Sequence, residues 1–379
     1  MERIYFSRPY LAGMEFTHLN ASLASTSWHG DGEFTNRATE WLRERTGAEG
    51  ALLTTSCTHA LELAAILLHL GPGDEVIVPS FTFSATATAI ASRGATPVFV
   101  DIEPRTLNLD PEAVEAAVTG RTKAIFVVHY AGVACDLDAI QRIADRHGLA
   151  IVEDNAHGIG ASLRGQHLGT FGTFGTQSWH DTKNVTSGEG GALLINDPKY
   201  IERAEIVREK GTNRAVFLRG QVDKYTWVDE GSSYLPSDLL AALLYGQFQR
   251  FDEIQERRQH VWHAYADALP QWAQEQRVDL MHVPEGREQP AHMFYVMMPT
   301  HEDQSGLISH LREREIIATF HYQPLDSAPA GLRLGRTPSP CVITADRASR
   351  LVRLPLHAGM SKADTARVID AVTTYRTTT

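Results

Sequence analysis

Residues 75–101 read EVIVPSFTFSATATAIASRGATPVFVD, and the fold turns on them. Two short β-rich runs, EVIVP (75–79) and PVFVD (97–101), flank a helix-like stretch ended by Gly94. Strands joined through a helix can lie side by side in parallel, as a tight hairpin cannot allow. The same alternation continues outward. ALLTT (51–55) precedes a helical pattern from Cys57 to Leu70, stopped by Gly71-Pro72-Gly73. KAIFVVHY (123–130), LAIVED (149–154) and GALLIN (191–196) supply further strands, with helices expected from about 111, over 136–147 and over 198–210. Repeated β-helix-β units predict an α/β fold built on a large, mostly parallel sheet.

After about residue 245 the texture changes. A long amphipathic helix is expected over roughly 246–269, then the strand MFYVMMP, the helix SGLISHLRERE, the strand IIATFHY and a closing helix from Ser361. The expected division is a large α/β domain over 1–245, N-terminal segment included, and a smaller α+β domain over 246–379. A chain of 379 residues suits two such units.

Composition narrows the function. With 43% hydrophobic and 21% charged residues the chain can build a core. No apolar run approaches the roughly 20 residues of a membrane span, and MERIYFSRPYLAG lacks a signal-peptide pattern. Three cysteines without metal-site spacing predict a reducing cytoplasm and no metal site. A net charge of −11 argues against nucleic acid as a partner.

Open parallel sheets bind ligands at the carboxyl ends of their strands. Asp154 ends one strand, Ser56-Cys57-Thr58 follows another and opens a helix, and Lys183 stands in SWHDTKNVTSGEGG between two strands. Free amides at a helix start favour a phosphate. A desolvated lysine loses its proton more readily and becomes a nucleophile. There are only six lysines among 35 basic residues, so one in a tight polar turn stands out. A phosphate cup, a carboxylate and a lysine on one rim are what a pyridoxal phosphate enzyme requires. Glycines after Lys183 let the chain turn sharply and pass close to the cofactor.

Eight segments, in order, carry a resemblance: LTTSCTHALE, PSFTFSATA, HYAGVACD, VEDNAHG, SWHDTKNVTSGEGG, EKGTNR, RGQVDKYTW and FHYQPL. Together they resemble the DegT/StrS family of sugar aminotransferases. Within it they are most similar to WecE-type enzymes, which aminate the 4-keto group of dTDP-4-keto-6-deoxyhexoses. The resemblance implies the fold type I, aspartate aminotransferase-like architecture and a homodimer with shared sites. It implies pyridoxal 5′-phosphate as cofactor and L-glutamate as donor. It makes Lys183 the Schiff-base lysine and Asp154 the partner of the pyridine nitrogen, with His157 near the ring oxygen. Phe83 matches the ring-stacking aromatic; Ser56, Ser178 and the amides of Cys57 and Thr58 match phosphate ligands. Where the family has an asparagine reaching the neighbouring subunit, GSSYL offers Ser233.

The basic stretch in this acidic chain, with Lys210, Arg219 and Lys224 and the neighbouring Tyr225, is a candidate clamp for a nucleotide diphosphate. His321 is a further candidate on the substrate side. The acceptor carbon, C4 or C3, is left open. A sugar 3-dehydratase lacks the imine-forming lysine, a non-catalytic regulator would be expected to lose Lys183 or Asp154, and no GxGxxG supports a dinucleotide dehydrogenase.

Overall fold

The computed structural model describes residues 2–378. Its first strands are β1 (Gly50–Thr54), β2 (Glu75–Pro79), β3 (Thr96–Val100), β4 (Thr122–Val128) and β5 (Ala150–Asp154). The short β6 (Ser162–Leu163) and β7 (Gln166–His167) form a hairpin; β8 (Phe174–Ser178) and β9 (Gly191–Ile195) follow. The main sheet has the order β1-β9-β8-β5-β4-β2-β3. β2 lies parallel to β3 and β4, β4 to β5, and β5 to β8, while β9 runs antiparallel to β8 and β1.

Side chains alternate across a strand, and here both faces are apolar because both are covered. Val76 and Val78 of β2 and Phe126 of β4 pack against Leu61 and Ala64 of the helix Cys57–Leu67. Their neighbours Ile77, Ile125 and Val127 pack on the other face, against Ile140 and Ile143 of the helix Leu137–His147. That two-sided burial explains the near-continuous apolar runs in the sequence.

The reversal of β9 matters most for the site. Because β9 returns beside β8, the segment joining them stays on the rim where β5 and β1 also end. Residues 179–190, Lys183 among them, are therefore held over the carboxyl ends of the sheet.

The C-terminal part adds β10 (Asp279–Leu280), β11 (Arg287–Glu288), β12 (Phe294–Met297) and β13 (Leu351–Leu354). β11 pairs with β6, and β10-β12-β13 make a small antiparallel sheet. The helices Phe251–Ala268, His301–Arg312 and Lys362–Thr374 bury Tyr265, Leu307 and Val368 against Val296 and Val352 of that sheet.

Four local expectations change. The helix from Cys57 stops at Leu67, and His69 takes a left-handed φ of 54°. The helix over 198–210 is a 3-10 turn, Pro198–Tyr200, followed by Ile201–Arg208, and Lys210 turns out at φ 62°. The long helix begins at Phe251; residue 245 lies inside a separate helix, Asp238–Gln249, joined to it at Arg250. IIATFHY forms no strand, because its neighbours reach it only singly, through Ile4–Ile316 and Thr319–Arg353. Pro324 then ends the segment, since proline has no N–H for a ladder. Among the described residues no helix is long and apolar enough to cross a membrane.

Candidate active site

At the carboxyl ends of β1, β5 and β8 lies a cavity of about 480 Å³. The strand ends and the Lys183 segment form one wall, and the C-terminal part closes the other with His292, His321, Tyr322 and Arg353.

The first corner is the turn after β1. Ser56 is extended (φ −163°, ψ 163°), and its hydroxyl accepts from the His59 amide at 3.1 Å, capping the helix Cys57–Leu67. The amides of Cys57 and Thr58 come before the first intrahelical bond, from the Ala60 amide to the Ser56 carbonyl, so they remain available. Ser178, buried at the end of β8, shares this cavity. Free amides, a helix dipole and hydroxyls make a place for an anion. Gly191 explains part of the GEGG run: a Cβ there would lie 2.3 Å from the Ser56 carbonyl carbon and 2.4 Å from the Cys57 nitrogen. Only glycine lets β9 pass that close, so this glycine packs against the turn itself.

Asp154 stands at the second corner, 6% exposed. The Thr86 hydroxyl donates to its Oδ2 at 2.7 Å and the Ala156 amide to its Oδ1 at 3.2 Å. Burial raises its pKa, while the two hydrogen bonds and the Lys183 charge pull it back. Such a carboxylate is oriented and short of a cation.

Lys183 is half-buried, and among the described residues its amine has no hydrogen bond or ion pair. Burial lowers its pKa to about 8, opposed by the neighbouring Cys57 and the Asp154 carboxylate. An amine so placed is a nucleophile and a base near neutral pH.

Three imidazoles line the opposite side. His157 stacks on His292 with centroids 4.3 Å apart, and its Nε2 lies 3.4 Å from the Tyr322 hydroxyl. The Asn184 amide nitrogen donates to the Pro290 carbonyl at 2.7 Å and to Gln255 Oε1 at 2.9 Å. Its oxygen therefore accepts from His292 Nδ1–H at 2.9 Å, which leaves the His292 Nε2 lone pair free. His321 Nδ1 meets the Tyr130 hydroxyl at 3.0 Å. Burial first, then neighbouring positive charge, pushes all three well below the ordinary histidine range, so they are neutral.

Of the residues singled out by sequence, Ser56, Cys57, Thr58, Phe83, Asp154, His157, Ser178, Lys183 and His321 all line this cavity. Phe83 stands at its mouth, 60% exposed. Ser233, Lys210, Arg219, Lys224 and Tyr225 lie away from the cavity of their own chain. Ser233 is exposed and pairs by backbone with Glu209. The Lys210 amine bonds Glu209 Oε1 at 2.9 Å, and the Arg219 guanidinium holds both Glu205 oxygens at 3.0 and 2.9 Å. Lys224 and Tyr225 are exposed.

Sequence reasoning passed over His292, Tyr322, Thr86 and Arg353. Arg353 alone had a visible signal: in RLVRLPL it interrupts an apolar run. Thr86 and Tyr322 fall within the segments PSFTFSATA and FHYQPL without a role having been drawn for them, and His292 sits in a segment with no pattern to mark it.

Comparison with known proteins agrees over nearly the full length. The model of the DegT/DnrJ/EryC1/StrS aminotransferase family matches residues 9–373. The spore coat polysaccharide biosynthesis protein SpsC of Bacillus subtilis (strain 168) is 32% identical over 378 residues, covering 97% of this chain and 95% of SpsC. The aminotransferase TlmJ from Streptoalloteichus hindustanus superposes with a TM-score of 0.89 at 28% identity, covering 98% of each chain. Spr1654 from Streptococcus pneumoniae, in its PLP-form, gives 0.90 at 27% identity, again over 98% of each chain. Matched in sequence and in fold from one end to the other, the chain belongs to the DegT/DnrJ/EryC1/StrS aminotransferase family, whose members are pyridoxal phosphate-dependent enzymes.

Proposed function

We propose that the protein moves the amino group of L-glutamate to the 4-keto group of a dTDP-4-keto-6-deoxyhexose, giving the dTDP-4-amino-4,6-dideoxyhexose. One observation carries the aminotransfer: the Lys183 amine, the Asp154 carboxylate and the Ser56–Thr58 turn open on the same cavity. The sugar acceptor is supported by relatives. SpsC is named for polysaccharide biosynthesis, and Spr1654 is provisionally named a sugar aminotransferase. The 4-keto-6-deoxyhexose follows from the WecE-like segments in the sequence.

The residues fit pyridoxal phosphate. The unpartnered Cys57 and Thr58 amides, with Ser56 and Ser178, would hold its phosphate. Asp154 would meet the ring nitrogen, which supplies the cation this carboxylate lacks. Phe83 and His157 would border the ring. When bound, the cofactor supplies an aldehyde for an amine and a ring that accepts the electron pair released at the donor's α-carbon. Lys183 anchors it, and its freed amine takes the α-proton of the donor and later delivers a proton to the acceptor carbon. The neutral histidines leave Lys183 as the group that exchanges protons near pH 8. Asp154 keeps the ring nitrogen protonated, and Thr86 and Ala156 keep Asp154 aimed.

We further propose a homodimer. The stretch 210–233 exposes Leu218, Tyr225 and Trp227, the last 77% exposed, beside Lys210, Arg219, Lys224 and Ser233. Apolar surface of this kind seeks a partner. In a homodimer these residues would serve the other subunit's site, with Arg219 exchanging Glu205 for the nucleotide's diphosphate.

The pH response of cofactor capture checks the lysine. With a pKa of about 8, roughly a tenth of the Lys183 amines are neutral at pH 7, about 300 times more than for an ordinary lysine. Capture of pyridoxal phosphate by the apoprotein, followed by absorbance, should rise steeply to about pH 8 and then level. A rate still rising tenfold per unit at pH 9.5 would mean an unperturbed amine.

The substrate is checked with a panel of dTDP- and UDP-ketosugars and glutamate, the product amine being located by NMR. dTDP-4-keto-6-deoxyglucose should outrun both 2-oxo acids and the free ketosugar by about a hundredfold or more, because remote binding energy orients the ketone. Equal turnover of 2-oxo acids would remove the sugar assignment.

A further inference from the structure

His292 is held on three sides. Its ring lies flat on His157, with 17° between the planes, which fixes the plane of the imidazole. Its Nδ1–H donates to the Asn184 oxygen at 2.9 Å, which fixes the direction of the ring within that plane. Asn184 cannot turn over, because its NH₂ group is committed to the Pro290 carbonyl, which can only accept. The backbone is fixed as well. The buried Arg258 donates to the Ala291 carbonyl at 3.0 Å and to the His292 carbonyl at 2.8 Å. Ala291 stands at φ 49°, a left-handed conformation that costs any residue with a Cβ, and its amide donates to Gln289 Oε1. Strain of this kind persists where the surroundings over-determine it, and it gathers beside working groups.

A ring aimed so firmly has one polar atom left. Among the described residues nothing pairs with Nε2, and His292 lines the cavity. With the proton on Nδ1 and the ring neutral, Nε2 can only accept. The other two imidazoles offer no such acceptor. His157 turns Nε2 to the Tyr322 hydroxyl, and its Nδ1 is buried without a partner. The buried Tyr130 hydroxyl has His321 Nδ1 as its partner and so donates to it, which leaves His321 a donor at Nε2. On the same cavity stands Lys183, a group of three donors with no acceptor, close enough for its charge to bear on His292.

Resting on the reading of the cavity as an aminotransferase site, we infer that His292 Nε2 is the acceptor for the Lys183 ammonium during proton transfer. In that reading the Lys183 amine takes the α-proton of the donor: the C–H bond breaks, an N–H bond forms, and the electron pair left on carbon passes to the cofactor's ring. Until it gives the proton up, Lys183 is an ammonium in a partly desolvated cavity, where a cation needs acceptors. Asp154 serves the ring nitrogen. A carboxylate beside the amine would in any case hold the proton too firmly, whereas a neutral lone pair steadies the ammonium and still lets the proton leave. The proton stays on Lys183, and His292 contributes the hydrogen bond. Asn184, the next residue after Lys183, is the positioning residue: by keeping Nδ1 protonated it prevents Nε2 from becoming a second donor facing the amine.

Three variants of the full chain test this. His292→Phe keeps the stack on His157 and removes the acceptor. His292→Gln returns an acceptor at about the place of Nε2, and His292→Asn is as polar but ends a bond short of it. The first readout needs no turnover: the pH midpoint at which the apoprotein captures pyridoxal phosphate. An acceptor favours the ammonium, so its removal lowers the lysine pKa. In His292→Phe and His292→Asn the midpoint should fall from about 8 by about half a pH unit to one, and His292→Gln should restore most of it. Turnover should fall by about 30- to 100-fold in His292→Phe and return to within about fivefold of the parent in His292→Gln. The half-saturating concentrations of L-glutamate and the ketosugar should stay within about threefold. Nitrogen NMR of the apoprotein labelled at histidine should show His292 in the Nδ1–H form, identified by its absence from the His292→Phe spectrum. A His292 protonated on Nε2, an unmoved midpoint in His292→Phe, or equal recovery by Asn and Gln would overturn the assignment, since packing or polarity alone would then account for the residue. The underlying reading fails separately: a parent holoenzyme that never exchanges the α-hydrogen of glutamate with deuterated water would remove the aminotransferase site itself.

Discussion

Lys183→Ala is expected to lower turnover by about ten-thousandfold or more, the largest effect any single substitution should produce here. In the proposed reaction the residue combines two jobs, anchor and base, that no neighbour is placed to assume. Its amine is the one poised near pH 8 in the cavity, whereas His157, His292 and His321 are held neutral by burial and nearby positive charge. Alanine leaves the backbone bond from the Lys183 amide to the His180 carbonyl intact, so folding should persist. Borohydride reduction of the parent enzyme followed by peptide mass spectrometry should place the cofactor on Lys183. Lys123, Lys199, Lys210, Lys224 and Lys362 should stay unlabelled. Label on one of those, or a Lys183→Ala enzyme within tenfold of the parent, would move the reaction elsewhere.

Asp154→Asn comes second, with an expected loss of about a thousandfold in turnover and retention of the bound cofactor. The amide is nearly isosteric and can still accept from the Ala156 amide through its oxygen. The Thr86 hydroxyl can turn to accept from the new NH₂ group, since Thr82 Oγ1 at 3.0 Å can serve as its other partner. What disappears is the negative charge. Without it the ring nitrogen gives up its proton, and the electron pair released at the donor carbon is stabilised far less. A shift in the cofactor's absorbance with an unchanged melting temperature would locate the loss in electrostatics. Turnover within threefold of the parent would take Asp154 out of the ring-nitrogen role.

Much of this was legible in the chain because the residues concerned punctuate regular elements. Asp154 ends the strand IVED and Ser56 opens a helix, so β-helix-β logic brings these two to one rim, while Lys183 joins them because β8 lies parallel to β5 and β9 turns back beside it. The far wall of the cavity was illegible for the opposite reason. His292 precedes a strand of the small sheet and Tyr322 lies in a segment that makes only single pairings, so neither occupies a position that periodicity can mark. His292 depends on Asn184 accepting from it, a contact between residues 108 apart in sequence. IIATFHY looked like a strand because its composition suits one, but composition says nothing about whether a neighbour exists to complete the ladder. The basic stretch shows the same limit. Its charges are plain in the sequence, while the glutamates that occupy Lys210 and Arg219 become apparent only in three dimensions.

The anchoring of the β8–β9 connection has a further consequence for motion. The Trp179 amide bonds the Gly190 carbonyl, the Ser187 amide and Thr186 hydroxyl both reach the Trp179 carbonyl, and residues 184–187 are buried. Lysine-bearing segments in enzymes are often thought of as hinges; this one is bolted to the sheet along most of its length. Freeing it would mean unzipping β9 from both neighbours, which amounts to melting the domain rather than opening a door. Admission of a bulky acceptor is therefore left to what surrounds the mouth: the N-terminal segment around Phe6 and Ser7 and the exposed ring of Phe83. The chemistry is mounted on a buried, hydrogen-bonded connection of the main sheet, and the traffic passes through what lies at the cavity's rim.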